Sequence, residues 1–212
     1  MTAMRYLLLT LMIVVPAVMR FGNFGWNFTP IGAVALFAGA TFRRPAFAFL
    51  VPLCSMFASD LALGWFRQDF EFYTFHPLMP VVYSCYTLSV CLGFGIRREW
   101  NRLDGKNPVA KAGELASSGD TNGMLLQRQL PVIFGTLTGS ILFFLVTNFA
   151  NWIVYADVHT SSTLMEHYYV AIPFFRNTLA SDAIGAAILF GGFEIVCRRA
   201  AVADPTGLLH AR

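Results

Sequence analysis

Charged side chains are scarce in this sequence. Asp, Glu, Lys and Arg together make up 13% of the 212 residues, whereas 56% are hydrophobic and 15% are aromatic. A soluble globular domain carries about 25% charged residues. The charges that are present stand in clusters between long apolar runs, as expected when lipid surrounds most of the chain. The composition therefore excludes a soluble protein and predicts an integral membrane protein with one domain over residues 1–212.

The sequence also lacks the short motifs of common enzyme classes. Its four cysteines contain no CxxC pair, and its four histidines form no HExxH motif. Neither a Walker phosphate-binding loop nor a GxSxG nucleophile elbow is present. The chain therefore encodes no ATPase. A membrane enzyme that uses a cysteine and a loop histidine is the form of catalysis that these absences leave open.

Six apolar runs, each bounded by charged or turn residues, predict six transmembrane helices. They lie near residues 5–20, 29–42, 45–66, 78–96, 130–155 and 168–196. The last four are long enough to cross a hydrocarbon core of ~30 Å at ~1.5 Å per residue, whereas the first two need tilting or a thinner bilayer. A cleaved signal peptide is the alternative for the first run, but the stretch PAVMRFGNF offers no small-x-small cleavage site.

The basic residues predict the orientation of these helices. Of the 15 Lys and Arg residues, the predicted connections place all but three on one side of the membrane. The three exceptions are Arg20, Arg67 and Arg176. Because cytoplasmic loops carry the excess of basic residues, we expect both termini and a polar loop over 97–129 to be cytoplasmic.

Polar residues inside the spans are costly in lipid and need a partner or a function. Asp60 lies near the outer end of the third span, and Arg176 and Asp182 lie in the outer half of the sixth. An ion pair of Arg176 with Asp60 or Asp182 would satisfy these charges and hold the two helices together. Direct contact of these groups with a ligand is the alternative.

Cys85 differs from the other cysteines in its depth. It lies about six residues, or ~9 Å, below the outer boundary of the fourth span, beneath the loop that carries His76. Its neighbours Tyr83 and Tyr86 are polar groups that a lipid-facing surface would not favour. The position therefore indicates either a ligand-binding thiol or a packed core thiol.

Four segments carry a resemblance to a known family: NFTPIGAVALFAGATF, SDLALG, FLVTNFANW and AIPFFRNTLASD. They are similar to BtuM-type proteins, a group of S components of energy-coupling-factor (ECF) transporters. The resemblance implies an all-α, six-helix S-component bundle in the bacterial inner membrane, with its ligand site on the extracytoplasmic side. It also implies uptake of cobalamin, with or without an ECF coupling module, and no nucleic-acid partner.

BtuM-type proteins carry a cysteine that can ligate the corrin cobalt from its lower face. Under the resemblance, Cys85 is the best candidate for this ligand, and Cys91 and Cys54 are fallbacks. A soft thiolate suits such a metal, and its donation would weaken the bond to a cyano group on the opposite face, so assisted decyanation is implied as well. The expected cobalamin site also includes Tyr83, Tyr86, His76, Asn27, Phe28, Arg176 and Asn177. The alternative function is transport of another vitamin or metal by the same fold.

Overall fold

The computed structural model describes residues 10, 12, 14–21, 28–104, 121–156 and 163–203. Within these ranges the regular structure is helical, and no strand is present. Residues 14–19 form α1, which is followed by α2 (Ile31–Thr41), α3 (Pro45–Arg67), α4 (Phe70–Tyr73), α5 (Met79–Asp104), α6 (Thr121–Val154) and α7 (Leu164–Ala203). The predicted all-α class is confirmed.

Four of the described helices are long and apolar enough to cross a membrane. They are Pro45–Arg67, Met79–Leu103, Leu126–Val154 and Leu164–Cys197. Large apolar side chains such as Phe134, Ile188 and Val196 are exposed on these helices, as expected where the surrounding solvent is hydrocarbon. The chain is therefore a multi-pass membrane protein, and the third to sixth predicted spans are confirmed as helices of sufficient length.

The second predicted span is a helix, but a short one. α2 has 11 residues, which at ~1.5 Å per residue is about half of a ~30 Å hydrocarbon core. Most of its residues are buried, and it packs against α3, α5 and α7. Protein therefore surrounds α2 where lipid was expected. The first predicted span, 5–20, lies mainly outside the described residues, so the six-span S-component bundle stays a prediction.

α2 and α5 approach each other closely at two glycines. A Cβ atom added to Gly93 would lie 2.8 Å from the Cα of Gly39, and one added to Gly39 would lie 2.9 Å from the Cα of Gly93. Real Cβ contacts are not this short, so the two backbones touch directly. Such glycine contacts let membrane helices pack without a hydrophobic driving force between them.

The polar loop predicted at 97–129 is shorter in the structure. α5 continues to Asp104 and α6 begins at Thr121. The prediction ended the fourth span at its first arginines, because charge marks the membrane boundary. A helix does not have to end where charged residues begin, and α5 continues through its arginines. The connecting residues 105–120 lie outside the described residues.

The structure does not form the ion pair predicted for Arg176. Asp60 pairs with Arg20 instead, Asp182 accepts hydrogen bonds from α2 and α6, and Arg176 is exposed on α7. Six residues separate Arg176 from Asp182, which turns the two side chains about 120° apart around the helix axis. Arg176 therefore faces away from the carboxylate that was expected to pair with it.

Candidate functional site

Arginine side chains dominate one end of the helix bundle, which we call the Arg97 end. Arg97 on α5 donates from Nε to the carbonyl of Ala40 at 3.0 Å and from Nη2 to two further carbonyls at the end of α2. Arg128 on α6 pairs with Glu194 on α7, with 3.3 Å between Nε and Oε2. Its guanidinium carbon lies 5.0 Å from the centre of the Trp100 ring. Basic side chains thus join α2, α5, α6 and α7 at this end.

A buried carboxylate organises the opposite end, which we call the Asp60 end. Asp60 is 0% exposed and pairs through Oδ1 with Arg20, just after α1. Tyr83 on α5 donates its hydroxyl to Oδ2 at 2.7 Å. Arg20 also donates to the Ser59 hydroxyl at 2.6 Å, and Thr74 donates to the Asp60 carbonyl oxygen at 2.8 Å. We call these five residues the Asp60 cluster. It joins α1, α3 and α5 and the chain that follows α4.

His76 lies beside the Asp60 cluster and is half-buried. Burial lowers the pKa of His76 below its usual value of 6.5, the charge of Asp60 opposes this shift, and the charge of Arg20 adds to it. Desolvation is the largest of the three effects, because it penalises the charged imidazolium. His76 is therefore a neutral imidazole at neutral pH, able to accept as well as donate a hydrogen bond.

Asp182, the second buried carboxylate, caps the start of α2. It is 5% exposed. Its Oδ1 accepts from the backbone N–H of Ala33 at 3.0 Å, and its Oδ2 accepts from the Ser140 hydroxyl at 2.9 Å. The backbone N–H of Gly32 also donates to the carboxylate. A Cβ at Gly32 would lie 2.6 Å from Oδ2, so glycine at this position lets α7 bring its carboxylate onto the helix N-terminus.

The Asp182 carboxylate lines a narrow cavity between α2, α5, α6 and α7. The cavity has room for about one water molecule. Its wall carries several hydroxyl groups besides apolar and glycine positions; they belong to Thr29, Tyr86, Ser89, Thr136, Ser140 and Thr178. We call this space the Asp182 cavity. A space of this size and polarity suits water or a small polar group.

Cys85 lies on α5 between these two polar regions. Tyr83, two residues before it, belongs to the Asp60 cluster, and Tyr86, one residue after it, lines the Asp182 cavity. Cys85 is 4% exposed, whereas Cys54 and Cys91 are exposed on helices that cross the membrane, where an exposed side chain faces lipid. Burial therefore distinguishes Cys85 from Cys54 and Cys91, the two alternative candidates for the cobalt ligand.

The structure brings four of the predicted site residues together. Tyr83, Tyr86, His76 and Cys85 all lie at or just below the Asp60 end. Tyr86 is also within electrostatic range of Asp60, Asp182 and Arg20, so it lies between the two polar regions.

The remaining predicted site residues lie on other parts of the chain. Phe28 precedes α2 and is half-buried, Arg176 is exposed on α7, and its neighbour Asn177 is half-buried. Asn27 lies outside the described residues. A role for these four residues in ligand binding therefore stays a prediction.

Sequence reasoning missed Arg20 and Ser140 as the partners of the two buried acids. A signal for Arg20 was present, because it interrupts an apolar run and a charge there needs a partner. Ser140 gave no comparable signal, since one serine in an apolar helix can also bond to its own backbone. The pairing depends on how α6 is rotated against α7, which spacing along one helix does not reveal.

Comparison with known proteins gives one family match. A family model described as a family of unknown function (DUF6580) matches residues 1–204. No curated protein and no solved structure matches the chain. Because the family model covers nearly the whole sequence, the chain belongs to the DUF6580 family.

Proposed function

We propose that this protein binds cobalamin at the Asp60 end of its helix bundle and carries it across the membrane as an S component does. Four long apolar helices support a membrane location, and three polar side chains of the predicted site, Tyr83, Tyr86 and His76, lie at or just below this end. The observation that carries the proposal is the placement of Cys85. It is buried, and it lies on α5 between the Asp60 cluster and the Asp182 cavity.

In this proposal Cys85 binds the cobalt of the transported cobalamin. A thiolate is a soft donor that suits a late transition metal, and the thiol loses its proton when the bond forms. Donation by sulfur weakens the bond to the ligand on the opposite face. A cyano group there leaves as cyanide with the electron pair of that bond, so the cobalt keeps its oxidation state and no reductant is needed.

The described conformation is closed around Cys85. The thiol is 4% exposed, and the Asp182 cavity holds about one water molecule, far less than a corrin ring requires. Ligand entry therefore requires the helices at the Asp60 end to separate. The Asp60 cluster joins α1, α3 and α5 at that end, so its contacts have to rearrange during loading.

We further propose that the Arg97 end is cytoplasmic and that the protein lies in a bacterial inner membrane. Exposed basic residues at this end support the orientation; they are Arg43, Arg44, Arg98 and Arg102. Both termini are then cytoplasmic. Because the sequence contains no phosphate-binding loop, transport draws on an ECF coupling module or on trapping of cobalamin inside the cell.

The size of the Asp182 cavity, which has room for about one water molecule, favours one second candidate, transport of a substrate small enough to fit it, such as a metal ion. Such a substrate would not need Cys85. The alternative of a cysteine–histidine enzyme has less support, because Cys85 forms no hydrogen bond to a histidine among the described residues. General-base activation requires such a contact.

The proposal is tested by absorption spectroscopy of the detergent-purified protein after expression with cyanocobalamin. We expect corrin bands in stoichiometric amount with an altered axial-ligand signature, loss of that signature in Cys85→Ala, and its retention in Cys91→Ala, the exposed control on the same helix. A signature unchanged in Cys85→Ala would remove the cobalt-ligand role. A wild-type protein that retains no corrin would contradict the proposal and favour the smaller-substrate candidate.

A further inference from the structure

The two buried carboxylates differ in how their charge is balanced. Asp60 has the guanidinium of Arg20 against it. In the part of the chain that the structure describes, Asp182 has neutral donors alone, which are the Ser140 hydroxyl and two backbone N–H groups of α2. Among the residues that the structure describes, no basic side chain contacts it. A buried acid without a counter-charge is expensive in a membrane and marks ion or proton sites in membrane proteins.

Asp182 also lies near the middle of the membrane. The C-terminal end of α2 is held at the Arg97 end, and the 11 residues of α2 rise about 16 Å from there. That rise is about half of a ~30 Å hydrocarbon core. The carboxylate bound at the N-terminus of α2 is therefore far from both aqueous surfaces, where balancing its charge is most difficult.

The Asp182 cavity can hold a water molecule next to the carboxylate. It has room for about one water molecule, and a buried water needs two to four polar partners. Hydroxyl groups of Thr29, Ser89 and Thr136 share the wall with Asp182. A water held among them can pass a proton to a carboxylate oxygen, because water and hydroxyl groups both donate and accept hydrogen bonds.

The helices around Asp182 present few other ionisable groups to it. α5 presents the Tyr86 hydroxyl, and the described residues of α2 and α6 that line the cavity carry no ionisable side chain. On α7 itself, the Arg176 side chain points about 120° away from Asp182 around the helix axis. Asp60 and Arg20 also interact electrostatically with Tyr86. Their charges are opposite and form an ion pair, so their effects on this region oppose each other. Asp182 is thus the acidic group of this cavity.

We propose that Asp182 is a reversible proton-binding site and that its protonation releases the N-terminus of α2. The carboxylate holds that N-terminus through the N–H groups of Gly32 and Ala33, with the positive end of the helix dipole adding to the attraction. A neutral carboxyl group loses this charge and accepts hydrogen bonds more weakly. Proton uptake at Asp182 therefore loosens the start of α2.

This site is independent of cobalamin, so its test uses the full-length protein alone in lipid vesicles. Infrared difference spectra between neutral and acidic pH should show the C=O stretching band of a protonated carboxyl group. We expect this band in the wild type and in Asp60→Asn, and its loss in Asp182→Asn. Ser140→Ala, which keeps the carboxyl group but removes its hydroxyl partner, should shift the band and gives a second test if Asp182→Asn does not fold.

The link to α2 is tested by hydrogen exchange, corrected for the intrinsic effect of pH on exchange. The first turn of α2 should lose protection at acidic pH in the wild type, whereas in Asp182→Asn its protection should not depend on pH. The absence of an Asp182-dependent band at any pH where the protein stays folded would overturn the proposal. A spectral change produced by sodium ions at constant pH, without one on acidification, would also overturn it and assign the cavity to a metal cation.

Discussion

Asp182 on α7 and Arg97 on α5 bind opposite ends of the same short helix. The Asp182 carboxylate accepts hydrogen bonds from the first turn of α2, and the Arg97 guanidinium donates to carbonyls at its end. An isolated helix of 11 residues is marginal, because nucleation is costly and few bonds follow it. The two charges also complement the helix dipole. Side chains of two neighbouring helices thus hold α2 in place.

Replacing Arg97 should destabilise the protein. Arg97→Met leaves several carbonyls at the end of α2 without their donor, and a lost hydrogen bond to a charged group is worth about 1.5–3 kcal/mol. Thermal unfolding in detergent, followed by circular dichroism, should show a lower midpoint. Arg98→Met is the control, since Arg98 is exposed on the same helix, and equal midpoints for the two variants would contradict the assigned role.

The contact between α2 and α5 should be sensitive to one methyl group. In Gly93→Ala, the new Cβ would meet the backbone of Gly39, and overpacking of this kind costs about 1–3 kcal/mol. In Gly95→Ala, the new Cβ meets nothing within 4 Å, so this variant should unfold at or above the wild-type temperature. Equal loss of stability in both variants would show that the two backbones do not touch.

Two substitutions in the Asp60 cluster should destabilise the protein by different amounts. Tyr83→Phe removes one hydrogen bond to Asp60, worth about 1.5–3 kcal/mol, whereas Arg20→Met leaves a buried carboxylate without its partner, at about 3–5 kcal/mol. Chemical unfolding in detergent measures both. Arg67→Met, an exposed arginine of α3, is the control. If Arg20→Met were no more harmful than this control, the ion pair would not exist in the protein.

His76 should make stability depend on pH. Because burial lowers the pKa of His76 below 6.5, the unfolded chain takes up its proton at a higher pH than the folded protein. Stability is therefore lost as the pH falls through 6.5 towards the folded pKa. His76→Gln should reduce this loss, as measured by unfolding midpoints at neutral and mildly acidic pH. An unchanged pH dependence in the variant would contradict the assigned environment of His76.

The sequence predicted the long helices because apolar runs of this length have few other solutions in lipid. It could not predict that α2 is enclosed by protein, since an apolar helix suits a protein core and a bilayer equally well. Depth along α5 distinguished Cys85 from Cys91 in the sequence, and the structure adds that Cys85 is buried and Cys91 is exposed. The partners of Asp60 and Asp182 were not predicted, because they come from α2, α5, α6 and the residue after α1, and the rotations of these helices are set by packing.

The central claim is that Cys85 binds the cobalt of cobalamin, and X-ray absorption spectroscopy at the cobalt edge tests it most directly. Protein loaded with cobalamin should show one sulfur atom in the cobalt coordination shell in the wild type and in Cys91→Ala. The same measurement should show no sulfur in Cys85→Ala. A cobalt shell without sulfur in the wild type, identical to that of the Cys85→Ala protein, would contradict the claim.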